Sequence, residues 1–240
     1  MGTFLAMIIK KTMRMSGWMK FGLGFSLAMA LASCSSDGSR PLEDAYRSIS
    51  TLLAGGRDPS AQDARALLTP EFITAIKVPY LLAELPSRQA SATRLLFSQS
   101  GTVQDWRGPD GISVVLNDDV LIGTRGLGAD LFAADPIPVA NWRLGPAGSY
   151  DRVYRHLDGE NREVRSSYSC RFSDGGVEQV DLISREVTTR RLVETCTPFQ
   201  PDVLPVVNTY WIGIEDNIVW KSKQWVSSSV ASIIISHLVR

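Results

Sequence analysis

The stretch DRVYRHLDGENREVRSSYSCRF, residues 151–172, predicts the type of fold. Two runs typical of β-strands, 151–157 and 162–172, flank Asp158-Gly159-Glu160-Asn161. An Asp-Gly pair between two such runs is a strong signal of a hairpin. This stretch therefore predicts two antiparallel strands joined by a tight turn.

Runs typical of β-strands recur on both sides of this hairpin, separated by turns rich in Gly, Asp and Asn. Short strands at regular spacing predict a mainly β domain, folded as an antiparallel barrel-like sheet or a bent sandwich. A further turn is predicted at Ser173-Asp174-Gly175-Gly176. The other predicted strands are 80–84, 92–99, 101–106, 112–116, 120–124, 178–184, 187–196, 208–212, 218–225 and 232–238.

Short helices are predicted before the first strand. Apolar residues recur at helical spacing from Leu42 to Leu53, and Gly55-Gly56 follows them. Ser60 is the expected N-cap of a second helix over 61–68, and a third short turn is expected near 69–72. We find no internal repeat and no domain boundary after residue 41.

The N-terminal segment has the layout of a secretory signal. Residues 1–20 contain basic residues and no acid, and the uncharged run FGLGFSLAMALA, 21–32, follows. The run is shorter than the roughly 20 apolar residues of a membrane-spanning helix. It ends in Leu31-Ala32-Ser33-Cys34, which resembles the bacterial lipobox. We expect a signal peptide over 1–33, a flexible tether over 34–40 and one domain over 41–240.

Two alternatives remain for this segment: a cysteine that happens to follow an ordinary signal peptide, or a buried apolar segment. Translation that starts at Met13 or Met15 would give a more usual signal length. The lipobox implies a diacylglyceryl group on the Cys34 thiol and an acyl chain such as palmitate on its amine. Each buried CH₂ contributes about 0.8 kcal/mol, so three chains would anchor the protein durably. Ser35 in the next position favours the outer membrane, with the domain facing the periplasm.

The charge balance argues against a nucleic-acid partner. Removal of the four basic residues of the signal reduces the 25 Lys and Arg of the chain to 21, against 25 Asp and Glu. The resulting net charge is −4, whereas nucleic-acid binding needs a basic surplus. The domain is long enough to bury a core without a metal, and no cofactor is expected.

After Cys34, the sequence contains two cysteines, Cys170 and Cys196, at the ends of predicted strands. In an oxidising compartment such a pair can form a disulfide, which would stabilise the fold by roughly 3–4 kcal/mol. Two buried free thiols are an alternative. A metal site is a second alternative, although it needs more ligands than these, and His156 and His237 are isolated in sequence.

No catalytic set is predicted. GTRGLG, residues 123–128, lacks the Gly-Lys-Ser/Thr of a phosphate-binding loop, so we expect its glycines to serve a bulge or turn. Arg125 within it is expected to pair with an acid, or else to contact an anionic sugar. Asp118-Asp119 and the acids of 158–160 are expected to be solvated turn residues, because sequence neighbours rarely flank a glycosidic bond.

Aromatic residues are candidate contacts for a glycan or a protein partner. Sugars stack on aromatic faces, but aromatic residues in strands usually pack in the core. Trp220 and Trp225 are five positions apart, so a regular strand would place them on opposite faces. Trp211, Trp220, Trp225 and Arg125 are the predicted contact residues, and core packing is the alternative for Trp106, Trp142, Tyr210, Trp211, Trp220 and Trp225.

Several segments, in order along the chain, resemble the YjbF/GfcB group of lipoproteins, which is linked to group 4 capsule and exopolysaccharide production. They are VLIGTRGLGADL (120–131), YRHLDGEN (154–161), the Cys170 and Cys196 pair, Tyr210-Trp211 and WKSKQW (220–225). The resemblance implies an outer-membrane, periplasm-facing lipoprotein that acts with envelope machinery for surface polysaccharide. It supplies no catalytic residues.

The sequence therefore favours a non-enzymatic accessory lipoprotein that supports capsule or exopolysaccharide production or secretion through protein or glycan contacts. The expected partners are the membrane, reached through the N-terminal lipid, and polysaccharide-export proteins or polysaccharide. Two other functions remain open: a periplasmic polysaccharide-modifying enzyme, and a structural envelope lipoprotein. A pocket with convergent acids would favour the enzyme, and an exposed aromatic stripe would favour the glycan binder.

Overall fold

The computed structural model describes residues 63–145 and 147–240. The predicted signal peptide, Cys34 with its tether, the helix over 42–53 and the N-cap Ser60 lie outside these residues. Neither helix within the described part is long and apolar enough to cross a membrane.

The described residues begin with two short helices. Helix α1 (Ala64–Leu67) is shorter than predicted, because its N-cap is Asp63, whose side chain accepts a hydrogen bond from the Arg65 amide. Helix α2 (Pro70–Ala75) confirms the predicted third turn, with Thr69 as N-cap and Pro70 in the first turn.

Twelve strands of the described part form a single antiparallel sheet, which confirms the mainly β fold. The strands are β1 (Tyr80–Leu85), β2 (Ala90–Ser100), β3 (Val103–Arg107), β4 (Ser113–Asn117), β5 (Val120–Arg125), β6 (Ala133–Ala134), β7 (Ser149–Leu157), β8 (Glu163–Asp181), β9 (Glu186–Pro198), β10 (Val206–Gly213), β11 (Val219–Ser227) and β12 (Ala231–Val239). Their order in the sheet is β5-β4-β3-β2-β1-β12-β11-β10-β9-β8-β7-β6, so the first and last strands of the chain pair in the middle of the sheet.

The two edges of the sheet approach each other, and the sheet is a nearly closed barrel. Edge strands β5 and β6 follow each other in the chain, and the amide of Thr124 in β5 donates to the carbonyl of Leu131, just before β6, at 2.9 Å. Short 3₁₀ turns at Pro86–Arg88 and Trp142–Leu144 complete the regular structure.

The predicted turn at 173–176 is wrong. Strand β8 continues through it and pairs with β9 on both sides, as Asp174 lies opposite Leu192 and Val177 lies opposite Arg190. The extra residue forms a bulge, in which Gly176 has φ of 85° and its amide donates to the Asp174 side chain at 2.8 Å. The chain reverses direction at 182–185 instead.

Both faces of the sheet carry apolar clusters. Alternate residues of the strands fill the interior, with Leu81, Leu116, Tyr168 and Ile235 nearly inaccessible to solvent. On the outer face, α1, α2 and the tip of the β8–β9 hairpin cover part of β1 and β12. That outer cluster contains Leu68, Ile73, Tyr80, Leu82, Leu95, Val180, Leu182, Trp220 and Leu238.

Candidate functional site

A buried ion pair lies on the inner face of the sheet. Arg152 of β7 and Glu194 of β9 both point inward, and their Nη1 and Oε2 atoms are 2.8 Å apart. The two side chains are 1% and 0% exposed. The remaining guanidinium nitrogens of Arg152, Nε and Nη2, donate to the carbonyl of Asp135 at 3.1 and 3.0 Å. The arginine is therefore fully paired despite its burial.

The carboxylate of Glu194 accepts hydrogen bonds from neutral groups as well. Tyr150 Oη donates to Oε1 at 2.8 Å, Asn208 Nδ2 to Oε2 at 2.7 Å, and Tyr210 Oη to Oε2 at 3.3 Å. With Arg152, these donors occupy both oxygens. Burial, followed by the nearby Glu194 charge, raises the pKa of Tyr150 well above its usual value. Burial also raises the pKa of Tyr154 to about 12. These phenols stay protonated, so the group is suited to hold strands together rather than to transfer protons.

A second buried carboxylate belongs to Asp119, in the turn between β4 and β5. Its side chain accepts from Arg143 Nη2 at 2.8 Å and from Arg240 Nη2 at 2.7 Å, and His237 Nε2 lies 3.3 Å away. Asp119 is 6% exposed, so the expectation of a solvated turn is wrong for this residue. Asp118 and Asp119, the two turn residues, have positive φ of 51° and 69°. Arg143 and Arg240, which are distant in sequence, compensate the buried charge of Asp119.

The environment of Asp119 shifts two pKa values in the same direction. Burial alone would raise the pKa of Asp119, but hydrogen bonds from His237 and Arg143 and the charge of Arg240 lower it well below its usual range. Burial lowers the pKa of His237, against the raising effect of its hydrogen bond to Asp119. We therefore assign an ionised Asp119 beside a neutral His237 at neutral pH.

The buried His237 predicts a loss of stability below neutral pH. The pKa of a histidine in the unfolded chain is about 6.5. Because the pKa of His237 is lower in the folded protein, its stabilising effect is complete above about pH 6.5 and declines as the pH falls. We expect the free energy of unfolding to be about 1 kcal/mol lower at pH 5.5 than at pH 7.5 in urea titrations.

The two histidines of the chain provide the matched comparison. Carboxyl groups ordinarily titrate well below pH 5.5, so histidines dominate this window. His237→Gln should flatten the dependence on pH, whereas His156→Gln should retain it. A His237→Gln variant with the full wild-type slope would contradict this assignment.

Cys170 and Cys196 lie directly opposite each other in the β8–β9 pair and form a disulfide. Both are completely buried. Their sulfur atoms and a Glu194 oxygen lie within 4.8 Å of one another, close enough for a metal site. Since the two sulfurs are bonded to each other, no thiolate is free to bind a metal. The disulfide lies beside the Arg152–Glu194 pair.

The glycine-rich segment 123–128 connects the two edges of the sheet. Gly126 and Gly128 have φ of 91° and 83°, which confirms a turn that requires glycine. Arg125 is exposed, but its guanidinium donates to the carbonyls of Thr124, Leu131 and Phe132. The expected acid pairing of Arg125 is therefore wrong within the described residues, because backbone carbonyls from the turn occupy the guanidinium.

The three predicted contact tryptophans lie in different places. Trp220 is 6% exposed in the outer cluster, and its indole nitrogen donates to Asp216 at 2.9 Å. Trp225 is half-buried, with its ring centroid 5.3 Å from that of Tyr154. The two therefore pack in different clusters. Trp211 is half-buried on β10, and its indole nitrogen donates to the Glu178 carboxylate. Its ring centroid lies 5.3 Å from the Lys221 ammonium. The core alternative holds for Trp106, Trp142, Tyr210 and Trp220, which are 2%, 3%, 0% and 6% exposed.

The sequence arguments missed Arg152, Glu194 and Asn208. A usable signal was present in β9, where Leu192, Glu194 and Cys196 alternate with more exposed residues. An acid in phase with buried apolar positions indicates an inward charge, and such a charge needs a partner.

One solved structure has a similar fold. The crystal structure of the hypothetical lipoprotein YmcC from Escherichia coli K12 matches with a TM-score of 0.64 at 19% identity, covering 72% of this chain and 89% of that chain. A putative exported protein with a YmcC-like fold from Bacteroides fragilis NCTC 9343 has a TM-score of 0.35 at 9% identity, covering 68% and 95%. No curated protein sequence matches. The family model described as group 4 capsule polysaccharide lipoprotein GfcB, YjbF matches residues 46–238. The chain therefore belongs to the YjbF family of group 4 capsule polysaccharide lipoproteins.

Proposed function

We propose that this chain is a lipid-anchored accessory protein of the outer membrane, facing the periplasm. In this role it supports production or secretion of capsule or exopolysaccharide through contacts with proteins or glycan. The observation that carries the proposal is the family match over residues 46–238, which follows a Leu31-Ala32-Ser33-Cys34 tetrad that resembles a lipobox. Lipid on Cys34 would keep the domain at the membrane from which the polysaccharide emerges.

The chemistry of the buried acids supports a non-catalytic role. Glu194 and Asp119 are the two buried carboxylates of the described part, and both have arginine partners within 2.8 Å. A general acid or base must be free to exchange a proton with a bound substrate. Both carboxylates instead hold distant segments of the chain together, so they fit a rigid scaffold better than a polysaccharide-modifying enzyme.

Replacing Cys34 tests the membrane anchor. In a strain that lacks the chromosomal gene, we expect wild-type protein in the outer-membrane fraction and Cys34→Ala protein outside it. The expected shift is nearly complete, because three acyl chains contribute about 0.8 kcal/mol per buried CH₂ and the variant has none. Ser36→Ala is the matched control, since it changes the same tether and keeps Cys34. Membrane fractionation of Cys34→Ala like that of the wild type would rule out lipidation as the anchor.

Surface polysaccharide in the same strains tests the cellular role. We expect its amount to fall in the deletion strain and to be restored by the wild type and by Ser36→Ala. Cys34→Ala should restore little of it, because the domain would no longer be held at the membrane. Normal surface polysaccharide in the deletion strain would refute the accessory role, whatever the result of fractionation.

A further inference from the structure

A patch of basic residues lies on the outer face of strands β8–β11. We define this outer basic face by Arg171, Arg191, Thr209, Trp211, Lys221 and Lys223. Their positions follow from the register. Trp211 lies between Arg191 and Lys221 on the neighbouring strands, and Thr209 lies opposite Lys223. The intervening residues, such as Tyr210 and Gln224, are buried, so the defining residues point away from the interior.

The charge of this face is opposite to that of the whole mature chain. Arg171 and Lys223 are exposed, and Lys221 is half-buried. In the described part of the chain, no carboxylate lies within ion-pair distance of these three residues. Arg191 has one distant partner, Glu178, at 3.6 Å. A local cationic surface on a net acidic protein attracts an anionic ligand at a defined place.

The shape of the face suits an extended chain rather than a small molecule. Lys221 and Lys223 are alternate residues of one strand, so they are roughly 7 Å apart along it. Thr209 lies opposite Lys223, with Val193 beyond it on β9. Further along the strands, Thr195 lies opposite Val207, which is 49% exposed. The contacts of Trp211 with Glu178 and Lys221 fix its indole beside Lys221.

We propose that the outer basic face binds a segment of acidic polysaccharide. Lys221 and Lys223 contact carboxylates on one stretch of the chain, and the Trp211 ring packs against an apolar sugar face. Arg171 lies on β8, three strands and roughly 14 Å across the sheet from β11, so it contacts a carboxylate several sugars further along. Charge complementarity selects this occupant: a neutral glycan would leave the cations without partners. This inference rests on the proposed function and specifies the kind of polysaccharide that the protein contacts.

The test uses the full-length lipidated protein in detergent micelles, with polygalacturonate as the anionic probe and dextran as the neutral one. We expect binding to polygalacturonate that weakens with added salt, and no binding to dextran. The Lys221→Gln/Lys223→Gln double variant should bind about tenfold more weakly, because each exposed charge contact contributes roughly a factor of three. Lys77→Gln/Arg162→Gln removes the same charge elsewhere and should bind like the wild type.

Several results would overturn the inference: no binding of wild-type protein to polygalacturonate, equal binding to dextran, or the same loss in both double variants. The inference would also be overturned if the Lys221→Gln/Lys223→Gln variant lost the binding of the wild type to phosphatidylglycerol vesicles but bound polygalacturonate as the wild type does. That result would assign the face to a membrane. The proposed function is tested separately, by surface polysaccharide in the deletion strain. If surface polysaccharide is normal there while the protein binds polygalacturonate, the proposed function fails and the binding face stands. If surface polysaccharide falls but the protein does not bind polygalacturonate, only this inference fails.

Discussion

Replacing Arg152 with methionine is expected to lower the free energy of unfolding by about 3–5 kcal/mol. The substitution leaves the Glu194 carboxylate, which is 0% exposed, without its cationic partner. It also leaves the Asp135 carbonyl without the two hydrogen bonds that it accepts from Arg152. Methionine fills much of the same space, so the loss reflects the unpaired charge rather than a cavity. Urea unfolding with the disulfide intact measures it.

The pH dependence of the stability lost in Arg152→Met distinguishes an unpaired Glu194 charge from a packing defect. Without Arg152, burial disfavours the charged form of the Glu194 carboxylate. The unpaired charge is most costly where the carboxylate is fully ionised in the unfolded chain, so the cost of Arg152→Met should be larger at pH 8 than at pH 5. A cost that does not change with pH would indicate a packing defect.

An exposed ion pair provides the control. Arg162 is 70% exposed and lies 2.9 Å from Asp158 in the turn of the β7–β8 hairpin. Solvent screens such a pair, so Arg162→Met should cost less than about 1 kcal/mol. If Arg152→Met costs as little as Arg162→Met, the buried pair does not stabilise the fold as we argue.

Removing both members of the pair should not restore the wild-type stability. Buried ion pairs can often be replaced by apolar residues without loss. Here, Tyr150, Asn208 and Tyr210 also donate to Glu194. An Arg152→Met/Glu194→Leu variant would leave these buried donors without that acceptor, at about 1–3 kcal/mol for each group left unsatisfied.

The strands could be predicted from local sequence, whereas the continuity of β8 could not. Asp and Gly residues suit both a hairpin turn and a β-bulge, because both need a positive φ and an Asp side chain that accepts from a nearby amide. At Asp174–Gly176 the choice is made by β9, which pairs with the residues on both sides. The bulge also brings Gly175 close to Arg191 on β9. A Cβ at position 175 would lie 2.5 Å from Arg191 Nε, so the close approach requires glycine.

The buried charges depend even more on distant residues. Nothing near Asp119 in sequence distinguishes it from a solvated turn acid. Its partner Arg240 is 121 positions away, and Glu194 and Arg152 are 42 positions apart. The pairing of the first strand, β1, with the last, β12, is also non-local. Local patterns therefore predicted the strands but left the choice between barrel and sandwich open.

Loss of the disulfide is expected to have a similarly large effect. Cys170 and Cys196 are 26 positions apart, and in the chain-entropy model closing such a loop stabilises a protein by roughly 3–4 kcal/mol. Cys170→Ser should lower the free energy of unfolding by about that amount and leave the Cys196 thiol reactive once the chain unfolds. Urea unfolding together with alkylation in denaturant measures both effects.

A reducing agent provides the internal control for this prediction. It should lower the stability of the wild type to nearly that of Cys170→Ser, while the variant should change little because its disulfide is already absent. Alkylation of Cys196 in oxidised wild-type protein would show instead that the bond does not form.

Because Cys196 shares a strand face with Glu194, whose carboxylate lies within 4.8 Å of the sulfurs, Cys170→Ser should also loosen the buried ion pair. The free energy of unfolding lost in the Cys170→Ser/Arg152→Met double variant should therefore be smaller than the sum of the losses in the two single variants. Each substitution alone already disrupts the packing around Glu194 and the disulfide.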